Sequence, residues 1–492
     1  MRADELTAGA AGVQFDIMEV GSVRSVREFI VEATGLPSCI NGQMVSFKHG
    51  LKGMVMGFSG DEVQILVFGS KADIHAGDEV YSRGEPLRLP AGEAFQGRMV
   101  NALSEPQDGL GPIQGDTLSP VFKEARGVME RRPVDQTLET GCKIIDEMIP
   151  IAKGQRQLII GDRLTGKTTI GIDTILNQKG KGVICIYCCI GKTYSSLLKV
   201  LTLLREQEAV SYTIVVSAIA STSPGEQFLS PYTASMLGEY FMERGKDVFV
   251  VFDDLTKHAW IYRQISLLLE RPPGREAYPG DIFYIHSQMM ERAGYLKTEI
   301  GGGGSMTFFP IVEILQGDVT GYVSSNLISM TDGQIYLSTA LFNKGFKPAI
   351  DLGLSVSRIG SKAQWPALRE MSSRLRLEFL QYQEVLRMTQ LRATGLSKEA
   401  EERLRRGQVI SHLILQDKNE PVSMEEQIMH LYALSRGVLD NLSESDIHAF
   451  KRNFYKSASE SAPAVAVRLR EGKVLSDDMK KDLDQALAGY FQ

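Results

Sequence analysis

Residues Gly161-Asp162-Arg163-Leu164-Thr165-Gly166-Lys167-Thr168 lie between the strand-like run QLII and the helix-like run TTIGIDTILNQ. No other feature narrows the fold so far, because a loop of this spacing requires a strand that ends where a helix begins. In that setting the glycines let backbone amides approach phosphate oxygens, and the helix N-terminus adds its positive end. Lys167 then reaches the outer phosphates, and the Thr168 hydroxyl is offered to Mg²⁺. The eight residues predict a nucleotide site. A chance match in a structural turn is the competing reading, and the flanking strand and helix weigh against it.

The chain around the loop is long. At 492 residues it has room for roughly three domains, and the pattern changes character twice. Residues 1–89 carry short apolar runs (MVSFKHG, KGMVMGFSGDEVQILVFGS, AGDEVYSRG) punctuated by Gly, Asp and Ser, which predicts a small antiparallel β-barrel or sandwich. Residues 90–364 alternate apolar runs (QLII, VICIYCCI, TIVVSAIA, VFVVF) with segments of helical period, which predicts a parallel sheet covered on both faces. Residues 365–492 turn helical after Trp365-Pro366, with Leu368, Met371, Leu375, Phe379, Tyr382 and Leu386 stepping by three and four. That stripe reads as core. The fold class is multidomain α/β: a β-barrel, a RecA-like nucleotide-binding domain and a helical bundle.

Composition excludes several classes. Apolar residues at 43% and charged residues at 23% are ordinary for a globular protein, not for a disordered or fibrous one. A net charge of −6 provides no global attraction to nucleic acid or anionic lipid. The longest apolar runs, Val183 to Ile190 and Val248 to Phe252, are far short of the roughly 20 residues that cross a bilayer. No secretory signal is visible at the start, MRADELTAGAAG. The five cysteines, Cys39, Cys142, Cys185, Cys188 and Cys189, form no paired framework and read as reduced, mostly buried thiols. Cys185 and Cys188 do make a C-x-x-C, but inside VICIYCCI a strand interior is the better reading.

Two further features bear on chemistry. The run VFVVF ends in Asp253-Asp254, as expected of a buried strand that delivers a carboxylate, Asp253, to a Mg²⁺ shell; the plainer reading is a helix cap. Hydrolysis also needs an acid to orient water, yet none occurs between Asp173 and Glu206, and the turn after VICIYCCI reads Gly191-Lys192-Thr193. A cation stands where a base is wanted, unless Asp254 or a distant acid substitutes.

The phrases GDRLTGKTTIGIDTILNQ, DDLTKHAWIYRQISLLLERPPGREAYPGDIFY, TDGQIYL and SVSRIG resemble the alpha subunits of rotary (F-type) ATP synthases, in a divergent form, from about residue 16 to the C-terminus. The resemblance implies a regulatory subunit that binds ATP or ADP with Mg²⁺ without cleaving it. It implies a six-membered ring in which such chains alternate with catalytic beta subunits around a central gamma stalk, on the cytoplasmic face of a bacterial inner membrane or on an organelle membrane. It implies no nucleic acid, and a membrane reached only through the complex. In the phrase Ser355-Val356-Ser357-Arg358, it implies that Arg358 is lent to the neighbouring catalytic site, with Ser355 shaping the interface. The purine pocket it implies falls on Lys347-Pro348, Gln416 and Lys418.

The chain departs from that family at Leu164 and Lys192, where glutamines are usual, and at Lys347 and Lys418 in the purine pocket. Lys192 is expected to add a phosphate contact. MRADELTAGAAGVQF lacks the apolar stripe of a helix that ties the head to a peripheral stalk or delta-type subunit, so an altered attachment is expected. An autonomous homohexameric secretion-type ATPase is the alternative; it requires the acid missing between Asp173 and Glu206. An RNA-translocating ring is disfavoured by the charge and by the lack of a basic-aromatic stripe.

Overall fold

The computed structural model describes residues 18–70, 74–391 and 397–491. The N-terminal segment read above for stalk attachment lies outside the described residues. Six strands close into a barrel in the order Glu19–Arg27, Ile30–Thr34, Glu62–Phe68, Lys52–Ser59, Gln43–Phe47 and Glu79–Pro86. Closure leaves no edge to pair with other chains. Strand Glu62–Phe68 shows why the alternation there is hard to read. Val63, Ile65 and Val67 point into the barrel core, whereas Leu66 and Phe68 pack outward against the central domain. Both faces are buried, and from Ile65 to Phe68 the run is continuously apolar.

The central sheet has nine strands. Seven run parallel, in the order Gly333–Leu337, Leu158–Asp162, Ser305–Ile314, Asp247–Asp253, Val183–Ile190, Thr213–Ala218 and Met99–Val100. Two short antiparallel strands complete it: Val356–Ser357 on the Gly333–Leu337 edge, and Gly294–Tyr295 beside Ser305–Ile314. Alternating side chains divide two cores. Cys185, Tyr187 and Cys189 face helices Lys167–Leu176 and Tyr194–Glu206, and Ile184, Ile186, Cys188 and Ile190 face helices Pro224–Met242 and Leu255–Leu268. Cys185 and Cys188 therefore point to opposite faces of one strand. All five cysteines are buried and unpaired, as the sequence indicated.

The core on the Lys167–Leu176 face continues without a break into the C-terminal helices. The expected apolar stripe spans two helices, Pro366–Ser372 and Leu375–Leu391. Leu368, Leu375 and Phe379 are buried, and Met371, Tyr382 and Leu386 are half-buried. No helix among the described residues is long and apolar enough to cross a membrane. The glycine run at residues 301–304 is not a slack connection, as its composition suggests. It folds as a tight turn against the end of helix Pro224–Met242, where a Cβ on Gly304 would lie 2.1 Å from the Met242 carbonyl oxygen. Only glycine fits that approach.

Candidate functional site

Parallel strands carry their C-terminal ends to one edge, where ligands of such sheets bind. Gly161 and Asp162 end the Leu158–Asp162 strand beside Glu313 and Ile314. One strand further, Asp253 lies opposite Cys189, two residues before Gly191-Lys192. The helix Lys167–Leu176 begins at Gly166, whose φ of 101° is left-handed, the backbone that a glycine adopts without strain. The sheet register thus brings the phosphate loop, Asp253 and Lys192 together.

Asp162 does not line a ligand space. Its carboxylate accepts from the Gly317 amide (2.9 Å) and the Thr339 hydroxyl (2.7 Å), bracing the loop. Thr165 donates to the Asp162 carbonyl at 2.8 Å, and the Lys167 ammonium folds back onto the same carbonyl. Burial pulls Lys167 below the usual lysine range; Glu313, Asp254 and Asp253 oppose that shift, and Lys192 adds to it. Glu313 is a site residue that motif reading missed. Its only signal is an acid near the end of the apolar run SMTFFPIVEI. Arg163 and Leu164 are exposed, Leu164 at 84%.

Thr168 and Asp253, the pair expected to hold Mg²⁺, are in contact, with the Thr168 hydroxyl donating to Asp253 Oδ2 at 2.8 Å. Tyr187 donates to the same oxygen at 2.8 Å. Lys192 Nζ pairs with that Asp253 oxygen and donates to Thr168 Oγ1 at 2.7 Å. Both expected metal ligands are therefore engaged by an ammonium, and the residues present do not fit the ion. Lys192 supplies at this point the positive charge that the expectation assigned to Mg²⁺. Asp254 is the helix cap of the plainer reading. It accepts from the Lys257 amide at 3.0 Å, and burial, with Asp253 beside it, raises its carboxyl to about 6.

A cavity of about 360 Å³ opens from Leu164, Thr165 and Gly166 toward Lys347, Pro348, Gln416 and Lys418. The four residues named for the purine pocket thus meet beside the phosphate loop, although they come from separate domains. Phe342, Leu337 and Ile170 line its apolar side. Gln416 does not present an amide to a base. It accepts from the Lys143 amide (3.0 Å) and donates to the carbonyls of Gly141 and Glu420 (2.7 Å each), fastening the helical domain to the central one. Asp173 also lines this cavity; burial raises its carboxyl to about 7, against the Asn419 amide that donates to it. A larger cavity, about 510 Å³, lies on the other side of Lys347 and Gln416 and has no phosphate-loop residue in its lining.

Arg358 lies elsewhere. Ser357 pairs with Gly333, at the end of the Gly333–Leu337 strand remote from the phosphate loop. Four residue steps of strand separate it from Leu337, about 13 Å at about 3.3 Å per residue. Its guanidinium is exposed and makes one long contact, 3.5 Å to the Thr331 carbonyl. Ser355, expected to help shape the interface, is held inside the chain. It is fully buried, accepts from the Tyr336 amide at 2.9 Å and donates to the Asp351 carbonyl at 2.6 Å. It shapes the chain's own edge.

A β-barrel, a parallel sheet with a phosphate loop at its C-terminal edge and a helical domain closing the cavity beside that loop define a three-domain P-loop nucleotide-binding protein. Residues 16–84, 141–357 and 364–490 match the beta-barrel, nucleotide-binding and C-terminal domains of the ATP synthase alpha/beta family. The chain is 44% identical over 477 residues to the ATP synthase subunit alpha of Clostridium acetobutylicum, covering 97% of this chain and 94% of that one. It is 43% identical, with the same coverage, to the ATP synthase subunit alpha of two Clostridium botulinum strains. The chain belongs to the ATP synthase alpha/beta family and, within it, to the F-type alpha subunits.

Proposed function

We propose that this chain is the non-catalytic, regulatory subunit of a rotary ATP synthase head, holding ATP or ADP at its own phosphate loop. One observation carries the reading: an ammonium, Lys192, occupies the position beside Asp253 and Thr168 where hydrolysis would need a carboxylate. Lys192 cannot accept a proton from water while it is paired with Asp253, and Asp254 is committed to its helix. Glu313 sits beside Gly161 on the neighbouring strand, where it balances Lys167.

In this reading the chain alternates with catalytic beta subunits in a six-membered ring around a gamma stalk, and the ring couples ion transport to ATP synthesis or hydrolysis. It sits peripherally on the cytoplasmic face of a bacterial inner membrane. Arg358 is offered across the interface to a beta subunit's site. Its exposure at the edge of the sheet, remote from its own loop, supports that direction. A guanidinium fork there spreads positive charge over a transferring phosphoryl group. The Leu337–Phe342 side of the cavity takes the nucleoside, and the Gly166–Thr168 amides take the phosphates.

Equilibrium dialysis of the purified chain with ATP tests the reading. Binding should be retained by the wild type and weakened at least about tenfold by Lys167→Ala, with no sustained ATP turnover. Brisk hydrolysis by the chain alone would overturn it in favour of an autonomous homohexameric motor.

A further inference from the structure

We propose that Lys192 is the built-in counter-cation of this phosphate loop, and that the chain takes its nucleotide as free ATP or ADP, not as the magnesium complex. This rests on the reading that the loop binds nucleotide, and it specifies the form of the ligand. A Mg²⁺ ion at a phosphate loop needs the Thr hydroxyl oxygen and a carboxylate within its small octahedral shell. Here Lys192 Nζ contacts both oxygens, Thr168 Oγ1 at 2.7 Å and Asp253 Oδ2 in a close ion pair. A divalent ion on the same two atoms would lie within a bond length or two of a fixed ammonium.

Three features hold the lysine in place. The backbone on either side is pinned, because the Gly191 amide donates to the Ala218 carbonyl at 2.7 Å and the Lys192 carbonyl accepts from the Ala220 amide at 2.8 Å. Thr193 follows directly and caps helix Tyr194–Glu206 by accepting from the Ser196 amide. Asp253 has 1% of its side chain exposed and, among the described residues, otherwise only hydroxyl partners, Thr168 and Tyr187. Without Lys192 it would be a buried, unpaired carboxylate. A lysine fits the task because a compact ammonium has three donors. Two are used on Thr168 and Asp253, and the third is left for a phosphate oxygen. Bound nucleotide then meets two ammonium groups, Lys167 and Lys192, where other phosphate loops present one lysine and a metal.

The test is equilibrium dialysis of the full chain against ATP, in EDTA and with Mg²⁺ in excess over ATP. The wild type should bind at least about threefold more weakly with Mg²⁺ in excess than in EDTA, because Mg²⁺ sequesters the free nucleotide that the site takes. Lys192→Gln should bind at least about tenfold more tightly with Mg²⁺ than in EDTA, and Lys192→Arg should keep the preference for metal-free nucleotide. With Mn²⁺ as a spin probe in the presence of ATP, the Gln variant should show protein-bound Mn²⁺ and the wild type should not. A wild type whose affinity falls by less than about threefold on adding Mg²⁺ overturns the proposal while leaving the nucleotide reading intact. So does a Gln variant that gains no affinity on adding Mg²⁺. If neither buffer supports binding, the nucleotide reading fails and this proposal falls with it.

Discussion

Replacing Arg358 by alanine separates an interface role from a structural one. Removing a phosphoryl-stabilising arginine costs roughly 10³ to 10⁵ in rate, about 4–7 kcal/mol at about 1.4 kcal/mol per decade. The structure sets what should not change. The guanidinium's single described contact, 3.5 Å to the Thr331 carbonyl, is too long to stabilise the chain much. The backbone bond from the Arg358 amide to the Asp332 carbonyl, 2.9 Å, survives the substitution. Unfolding free energy should move by less than about 0.5 kcal/mol. Nucleotide retention at the chain's own loop should also be unchanged, because about 13 Å of strand lies between. The assay is ATP hydrolysis by a head reconstituted with beta and gamma subunits, alongside urea unfolding and ATP dialysis of the isolated variant. Arg358→Lys should recover only part of the loss, since an ammonium lacks the planar fork. A fall in hydrolysis of less than about tenfold, or a comparable loss of nucleotide from the chain's own site, would refute the reasoning.

Ser355→Ala should destabilise the chain by about 1–3 kcal/mol in urea unfolding, because the buried Tyr336 amide loses its acceptor; hydrolysis by the reconstituted head should not fall. Glu239→Gln should cost about 3 kcal/mol in the same measurement, since the Arg292 guanidinium, with 1% of its side chain exposed, loses the carboxylate it grips through two 2.8 Å bonds. Asp173 sets a pH dependence. Its carboxyl is raised from 3.8 to about 7 in the folded chain, so the native state holds a proton that the unfolded state has released. Stability should therefore fall as pH rises from about 4 to about 7, and Asp173→Asn should flatten that slope; an unchanged pH profile of the urea midpoint would show that Asp173 does not cause it.

The sequence was most informative where one local rule suffices. The phosphate loop requires a strand before it and a helix after it, and both are present. The apolar runs VICIYCCI and VFVVF became neighbouring parallel strands because their continuous apolarity fits only a sheet buried on both faces. Legibility failed where a residue's role depends on its partner. A serine beside a surface arginine looks available, but Ser355 is committed to Tyr336 and Asp351. Gln416 matches a pocket glutamine by position, yet it ties two domains together. The four glycines at 301–304 suggest slack, whereas Gly301, Gly302 and Gly303 take left-handed backbone and Gly304 leaves no room for a Cβ beside the Met242 carbonyl.

Order along the chain thus determined the three-part architecture, the loop that meets phosphate, and the absence of any acid between Asp173 and Glu206. These are local properties, fixed by spacing, periodicity and residue type. Only the tertiary structure decided that Lys192 lands on Asp253 and Thr168. That contact depends on two strands aligned so that Cys189 stands opposite Asp253, and no pattern within either segment encodes their register. The same holds for the nucleoside cavity, assembled from Lys347-Pro348 in one domain and Gln416 and Lys418 in the next. Residues so far apart in the chain meet only because one continuous apolar core joins the two domains.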